Sequence, residues 1–136
     1  FLANYSQLKA NYINKILFFC KMDIKGLFAS IDAMDTGKFL GFLADDASFR
    51  FGNADPAVGK ETIKKAVSDF FGIINGLSHN IINIWEVDDT IICQGEVTYT
   101  KKDDSKITLP FVNIFKMKDN LIKDYLVYID IGPLFQ

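Results

Sequence analysis

The chain has 136 residues, 49% of them hydrophobic and 14% aromatic, with 13 Phe, 5 Tyr and 1 Trp. That is one domain's worth of chain with ample core material, which excludes disorder as the main state and makes a metal or disulfide staple unnecessary. With 15 Lys and Arg against 17 Asp and Glu, the net charge is −2, so there is no basic excess to neutralise a phosphate backbone and no nucleic-acid partner is expected.

The chain opens on Phe1, and Met22 is a candidate start for the domain proper, which makes residues 1–21 an appended arm. The longest apolar run there, Ile16-Leu17-Phe18-Phe19-Cys20, is far short of the ~20 residues of a membrane span. No small-residue cleavage site follows it, so neither a span nor a signal peptide is expected. Leu8, Tyr12, Ile16 and Phe19 recur at helical spacing, which predicts an ordered, helical arm. From Ile13 to Met34 the apolar positions fall three and four apart, the stripe of an amphipathic helix with a break near Met22-Asp23. Asp35-Thr36-Gly37 should end it, with Gly supplying the left-handed cap. Phe39 to Leu43 reads as a second short helix ended by Asp45-Asp46, and Ala47–Phe51 as a strand. Thr62 to Ile74 reads as a third helix with Ile63, Ala66, Val67, Phe70 and Phe71 on one face, terminated by Gly76.

Everything after Ser78 reads as sheet. Asn80–Val87, Thr90–Thr100, Ser105–Lys116 and Leu121–Ile131 are rich in β-branched and aromatic residues and bounded by turn formers, which predicts a four-strand antiparallel meander. Helices gathered on one side of such a sheet give an α+β fold. Cys20 and Cys93 make no CxxC pair and no zinc spacing, and with one histidine in the chain no metal cluster can be built around them. They read as buried small hydrophobes of a protein in a reducing, cytoplasmic compartment.

Hairpin arithmetic places chemistry on this sheet. Turns near 88–89, 103–104 and 119 set His79 across from Thr98, Thr98 across from Leu109-Pro110, and those across from Tyr128-Ile129. His79 and Asp130 then lie toward one end of the sheet, about 14 Å apart along its surface from three interstrand steps, flanking a shared cavity. Period two puts Trp85 in phase with His79, Asn113 with Phe111 and Phe115, and Tyr128 with Asp130. Asn113 sits in an otherwise apolar strand, either as a ligand contact or as a satisfied core amide. Each of the others has a plain structural reading too. His79 can be a hydrogen-bonder at a strand start, Asp130 can cap the turn before Gly132-Pro133, and Asp32 with Asp35 can form a solvated helix end.

Four stretches carry a family resemblance: Leu27-Phe28-Ala29-Ser30-Ile31-Asp32-Ala33-Met34-Asp35, Ala44-Asp45-Asp46-Ala47-Ser48-Phe49-Arg50-Phe51-Gly52-Asn53, Val58-Gly59-Lys60-Glu61-Thr62-Ile63, and Tyr128-Ile129-Asp130-Ile131-Gly132-Pro133-Leu134. In order and spacing, from Met22 to Leu134, the chain resembles the SnoaL-like branch of the nuclear transport factor 2-like superfamily. The resemblance implies a cone, a curved mixed β-sheet wrapped around about three helices, with a hydrophobic pocket at its open end and dimerisation through the outer sheet face. It thus divides the chain into an N-terminal extension, 1–21, and a domain, 22–136.

The superfamily's chemistries can be compared position by position. At the places where ketosteroid isomerases carry a base Asp, an oxyanion-hole Asp and a Tyr, this chain has Phe51, Pro110 and Ser30, so that constellation is lost. Limonene epoxide hydrolase needs an Asp–Arg–Asp set, but the only arginine, Arg50, is out of phase with Phe49 and Phe51. Scytalone dehydratase uses histidines with a nearby Asp and Tyr; here His79 and Asp32 are available and the second histidine is not. Some polyketide cyclases of the branch use a late-strand Asp, and Asp130 is similarly placed. Two functions follow as expectations. One is a cofactor-independent enzyme cyclising, isomerising or dehydrating an apolar oxygenated ligand, with His79 and Asp130 as acid and base. Asn113 and Tyr128 then orient the ligand, Phe49, Phe51 and Trp85 exclude water, and Asp32 lies beside them. The other is a non-catalytic binding or dimerisation module.

Overall fold

In the computed structural model, which describes residues 4, 6–9 and 22–136, a nine-residue helix α1 (Ile24–Asp32) opens the domain. Ile24, Leu27, Phe28 and Ile31 share one face and pack into the core, as their three- and four-residue spacing dictates. Asp23 caps the helix by accepting from the Gly26 amide at 2.8 Å, so the break foreseen near Met22-Asp23 is a helix start. The expected arm helix over Leu8, Tyr12, Ile16 and Phe19 lies largely outside the described residues, as does Cys20.

α1 ends one turn earlier than Gly37. Met34 takes the left-handed conformation, φ 52, and Asp35 then caps α2 (Thr36–Leu40) by accepting from Lys38 N at 3.0 Å. Asp35 and Thr36 thus start a helix where the reading of Gly37 as a stop had placed an end. Strand β1 (Leu43–Phe51) begins earlier than expected. Asp45 and Asp46 lie within it, between the paired residues Leu43 and Ser48 where the register against the last strand, Leu121–Tyr128, shifts. Both are exposed and lie within 4 Å of lysines, Asp45 of Lys60 at 3.5 Å and Asp46 of Lys123 at 3.2 Å. After the two-residue β2 (Ala57–Val58), α3 (Lys60–Gly72) buries Ile63 and Val67.

β3 (Gly76–Val87), β4 (Thr90–Thr100), β5 (Lys106–Lys118) and β6 (Leu121–Tyr128) form the expected meander. β1 then pairs with β6 in parallel, closing a six-stranded mixed sheet in the order β2-β1-β6-β5-β4-β3. Parallel pairing is possible because β2, α3 and the three preceding meander strands separate the two strands in sequence. A short 3₁₀ turn, Gly132–Phe135, follows. Among the described residues no helix is long and apolar enough to cross a membrane.

Two bulges decide which side chains face inward. The β3–β4 hairpin starts with Val87 opposite Thr90, a register that would put His79 opposite Thr98; between Ile81 and Asn83 it slips by one residue, and His79 faces Val97 instead. A one-residue slip exchanges the two faces of a strand. Leu77 and His79 therefore line the interior, while Trp85, in phase with His79 by simple alternation, is 49% exposed. The slip needs Gly95, where a β-carbon would fall 2.1 Å from the Asn80 carbonyl oxygen. The last hairpin also shifts by one residue between Lys116 and Met117, which moves Tyr128 from opposite Phe111 to opposite Val112; the expected pairing with Leu109-Pro110 is not found.

Candidate active site

The concave side of the sheet and the helices enclose a cavity of about 250 Å³. Its wall is dominated by aromatic rings, with Phe49 and Phe51 from β1, Phe70 and Phe71 from α3, and Phe111 from β5. Phe49 and Phe51 were expected here, and inward alternation on β1 leaves Arg50 exposed. Among the described residues, the polar side chains in the wall are His79, Asn113, Tyr99 and Tyr125, with no Asp, Glu, Lys or Arg beside them.

His79 is held by Asp32. The His79 Nδ1 lies 2.6 Å from Asp32 Oδ1, and the His79 backbone N–H donates to Asp32 Oδ2 at 3.1 Å. Both carboxylate oxygens thus grip one residue, ring and main chain together. Asp32 can do this because it is the last residue of α1 and α1 packs against β3. The imidazole is otherwise packed among aromatics, with its centroid 4.9 Å from that of Phe28 and 5.2 Å from that of Phe111 in an edge-on contact. The His79 side chain is 9% exposed and that of Asp32 29%. The carboxylate is therefore reached by water from one side while the ring looks into the cavity wall. In a neutral ring whose Nδ1–H donates to the Asp32 carboxylate, Nε2 carries the lone pair.

Asn113 is 2% exposed and lies opposite Cys93 on β4 and Val127 on β6. Its Nδ2 donates to the Tyr125 hydroxyl over 3.4 Å, and its Oδ1 is buried without a partner among the described residues. Burial pushes the Tyr125 and Tyr99 phenols well above the usual tyrosine range and the Cys93 thiol up to about 12. All three therefore stay protonated, because desolvation disfavours their anions.

The other expected site residues are not brought together here. Asp130 is exposed and accepts from Gly132 N at 2.9 Å, capping the terminal turn. Val127 and Ile129 take the inward positions beside it, so Tyr128, 57% exposed, and Asp130 share the outer phase. The expectation that His79 and Asp130 face one another across a cavity is thereby corrected: Asp32 is the carboxylate at His79. Trp85 and Tyr128 do not line the cavity, for the register reasons above. Sequence reasoning passed over Tyr125, whose place two residues before Val127 marks it as inward once that phase is known. The Phe70-Phe71 pair was assigned a helix face but not to a site.

Residues 24–125 match the family model described as SnoaL-like domain. The chain belongs to the SnoaL-like domain family. Among curated proteins none matches it. Solved structures share its fold at low identity. A nuclear transport factor 2-like protein of unknown function from Burkholderia pseudomallei superposes with TM-score 0.76 at 13% identity, covering 82% of this chain and 91% of that one. TerC, co-crystallised with polyporic acid, gives 0.73 at 18% identity over 82% and 92%. An epoxide hydrolase of M. tuberculosis, described as LEH-like, gives 0.69 at 13% identity over 82% and 83%. Identities this low establish the shared cone and leave the chemistry to the residues of this SnoaL-like chain.

Proposed function

We propose that this SnoaL-like protein is a cofactor-independent enzyme that moves a proton on an apolar, oxygenated ligand held in the aromatic cavity, as in cyclisation, isomerisation or dehydration. The observation that carries the reading is the 2.6 Å contact of Asp32 with His79 at the wall of that cavity. A carboxylate that accepts a hydrogen bond from Nδ1–H leaves the Nε2 lone pair free and stabilises the imidazolium formed when Nε2 accepts a proton from the ligand. The same imidazolium can return the proton to a leaving hydroxyl or a new carbon position. The surrounding phenylalanines keep water out, which strengthens each electrostatic contact. TerC's co-crystallisation with polyporic acid and the LEH-like hydrolase support reading the cone as a small-molecule site.

The test is a screen of small neutral ring compounds for binding and conversion, followed by His79→Gln. A lowering of turnover by about 10²-fold or more with binding retained supports the enzyme. Binding without turnover in the native protein favours the second reading, a ligand-binding module, which a wall without Asp, Glu, Lys or Arg among the described residues also suits.

We further propose that residues 22–136 are the domain and 1–21 its extension, and that the protein works in a reducing compartment, which a buried free Cys93 suits. Two copies are proposed to pair through the outer sheet face. There Trp85, Ile92, Ile114 and Leu126 stand in one row across β3, β4, β5 and β6. An antiparallel sheet with helices on one side leaves its other face open, and a contiguous apolar row on it calls for a cover.

A further inference from the structure

The wall of the cavity carries a polar atom that no described residue satisfies. Asn113 stands in the apolar run Phe111-Val112-Asn113-Ile114-Phe115, is 2% exposed, and leaves its Oδ1 buried and unpartnered among the described residues. An apolar side chain of the same size could fill that place without stranding an acceptor, so stability alone does not call for the amide. The side-chain amide is turned by its neighbour. Nδ2 donates to the Tyr125 hydroxyl at 3.4 Å, which leaves the buried carbonyl oxygen as the unpaired group.

We propose that Asn113 is the specificity-determining residue of the cavity, and that its Oδ1 accepts a hydrogen bond from an N–H or O–H group of the ligand. The inference rests on the reading of the cavity as a ligand site and adds which ligands it selects. Among the described residues of the wall no Asp, Glu, Lys or Arg stands ready to pair with an ionic group, which favours a neutral ligand. Its size follows from volume: an apolar cavity of about 150 Å³ takes a benzene ring, so one of about 250 Å³ takes two fused rings. Its orientation follows from the strand. Phe111, whose ring meets that of His79 at 5.2 Å, is the preceding inward residue on β5, and one inward step along a strand is about 6.6 Å. A flat two-ring molecule anchored by its donor at Asn113 therefore extends toward His79. Asn113 sets the orientation, and the imidazole meets the far ring.

Three probes of one shape separate the possibilities: indole, which offers an N–H donor, benzofuran, which offers only an acceptor, and indene, which offers neither. Titration calorimetry of the native protein should find indole bound about tenfold or more tightly than both isosteres, one hydrogen bond's worth of discrimination. Asn113→Leu should erase the preference while leaving the thermal midpoint unchanged or higher, because an orphaned acceptor has gone. Equal binding of the three probes overturns the assignment and leaves the cavity reading intact. A preference for benzofuran shows that the amide presents its N–H₂ and overturns it as well. If none of the three binds, the ligand-cavity reading itself fails and takes this inference with it. Should Asn113→Leu not fold, the native ranking of the isosteres still decides.

Discussion

Asp32 and His79 are 47 residues apart in sequence and joined twice, ring to Oδ1 at 2.6 Å and backbone N–H to Oδ2 at 3.1 Å. The second bond matters as much as the first. A carboxylate tied to the main chain of the residue whose ring it orients cannot swing away without losing both contacts. Asp32→Asn keeps the shape and one acceptor but removes the charge that stabilises an imidazolium. It should lower kcat by about 10²-fold or more with KM nearly unchanged, while the fold stays intact. Equal losses in kcat and stability would reduce the pair to a structural clamp.

Asp130 has the contrary expectation. Its carboxylate serves the Gly132 amide at 2.9 Å, so Asp130→Ala should cost up to about 1 kcal/mol of stability, one local hydrogen bond. Turnover per folded molecule should not change. A large loss of kcat in a folded Asp130→Ala protein would return Asp130 to the chemistry.

Much of the fold was legible in the sequence because most of it obeys period. The α1 stripe, the α3 face and the four meander strands follow from spacings of three and four and from β-branched runs bounded by turn residues. The site was legible by alternation at Phe49, Phe51 and Asn113, and at His79 and Asp32 by residue type, His79 being the only histidine in the chain. It was lost at Trp85 because of the bulge between Ile81 and Asn83, which leaves no mark beyond a glycine on the neighbouring strand. It was lost at Tyr128 and Asp130 because the Lys116–Met117 shift moved the register of the last hairpin. That α1 would end with Asp32 against β3 depends on helix-to-sheet docking, which local patterns do not encode.

The bulge therefore makes its own prediction. Gly95→Ala drives a β-carbon to within 2.1 Å of the Asn80 carbonyl oxygen, a clash with backbone that only a shift of β3 relieves. Unfolding in denaturant should show a loss of roughly 2 kcal/mol or more, with probe binding weakened because His79 lies on the same stretch of β3. Native stability in this variant would mean that the bulge is not needed.

The outer face predicts assembly. Light scattering at micromolar concentration should give twice the chain mass of 15.4 kDa, and Trp85→Glu, which puts a charge into the apolar row, should return the protein to the monomer. A native mass near 15.4 kDa would leave that face without a partner of its own kind.

The buried hydroxyl and thiol groups predict an alkaline limit. Burial moves Cys93 from its ordinary value of 9.0 up to about 12, and Tyr99 and Tyr125 move up as well. Below pH 9 the thiol is protonated in both states and has no effect. Between about 9 and 12 the unfolded thiol ionises while the folded one does not. The unfolded chain then binds fewer protons, and stability falls as pH rises. In a Cys20→Ser background, a thiol reagent at pH 8 should leave Cys93 untouched until the chain unfolds. Rapid labelling of the native protein would contradict its burial.

The most direct measurement is the ¹⁵N spectrum of the imidazole, unambiguous because His79 is the only histidine in the chain. With the ring neutral, it should show Nδ1 protonated and bonded and Nε2 bare. Filling the cavity with indole should move the Nε2 resonance while leaving the Nδ1 proton in place. A ring protonated at Nε2, or one whose nitrogens ignore a bound ligand, would contradict the account of His79 as the acid–base group of this cavity.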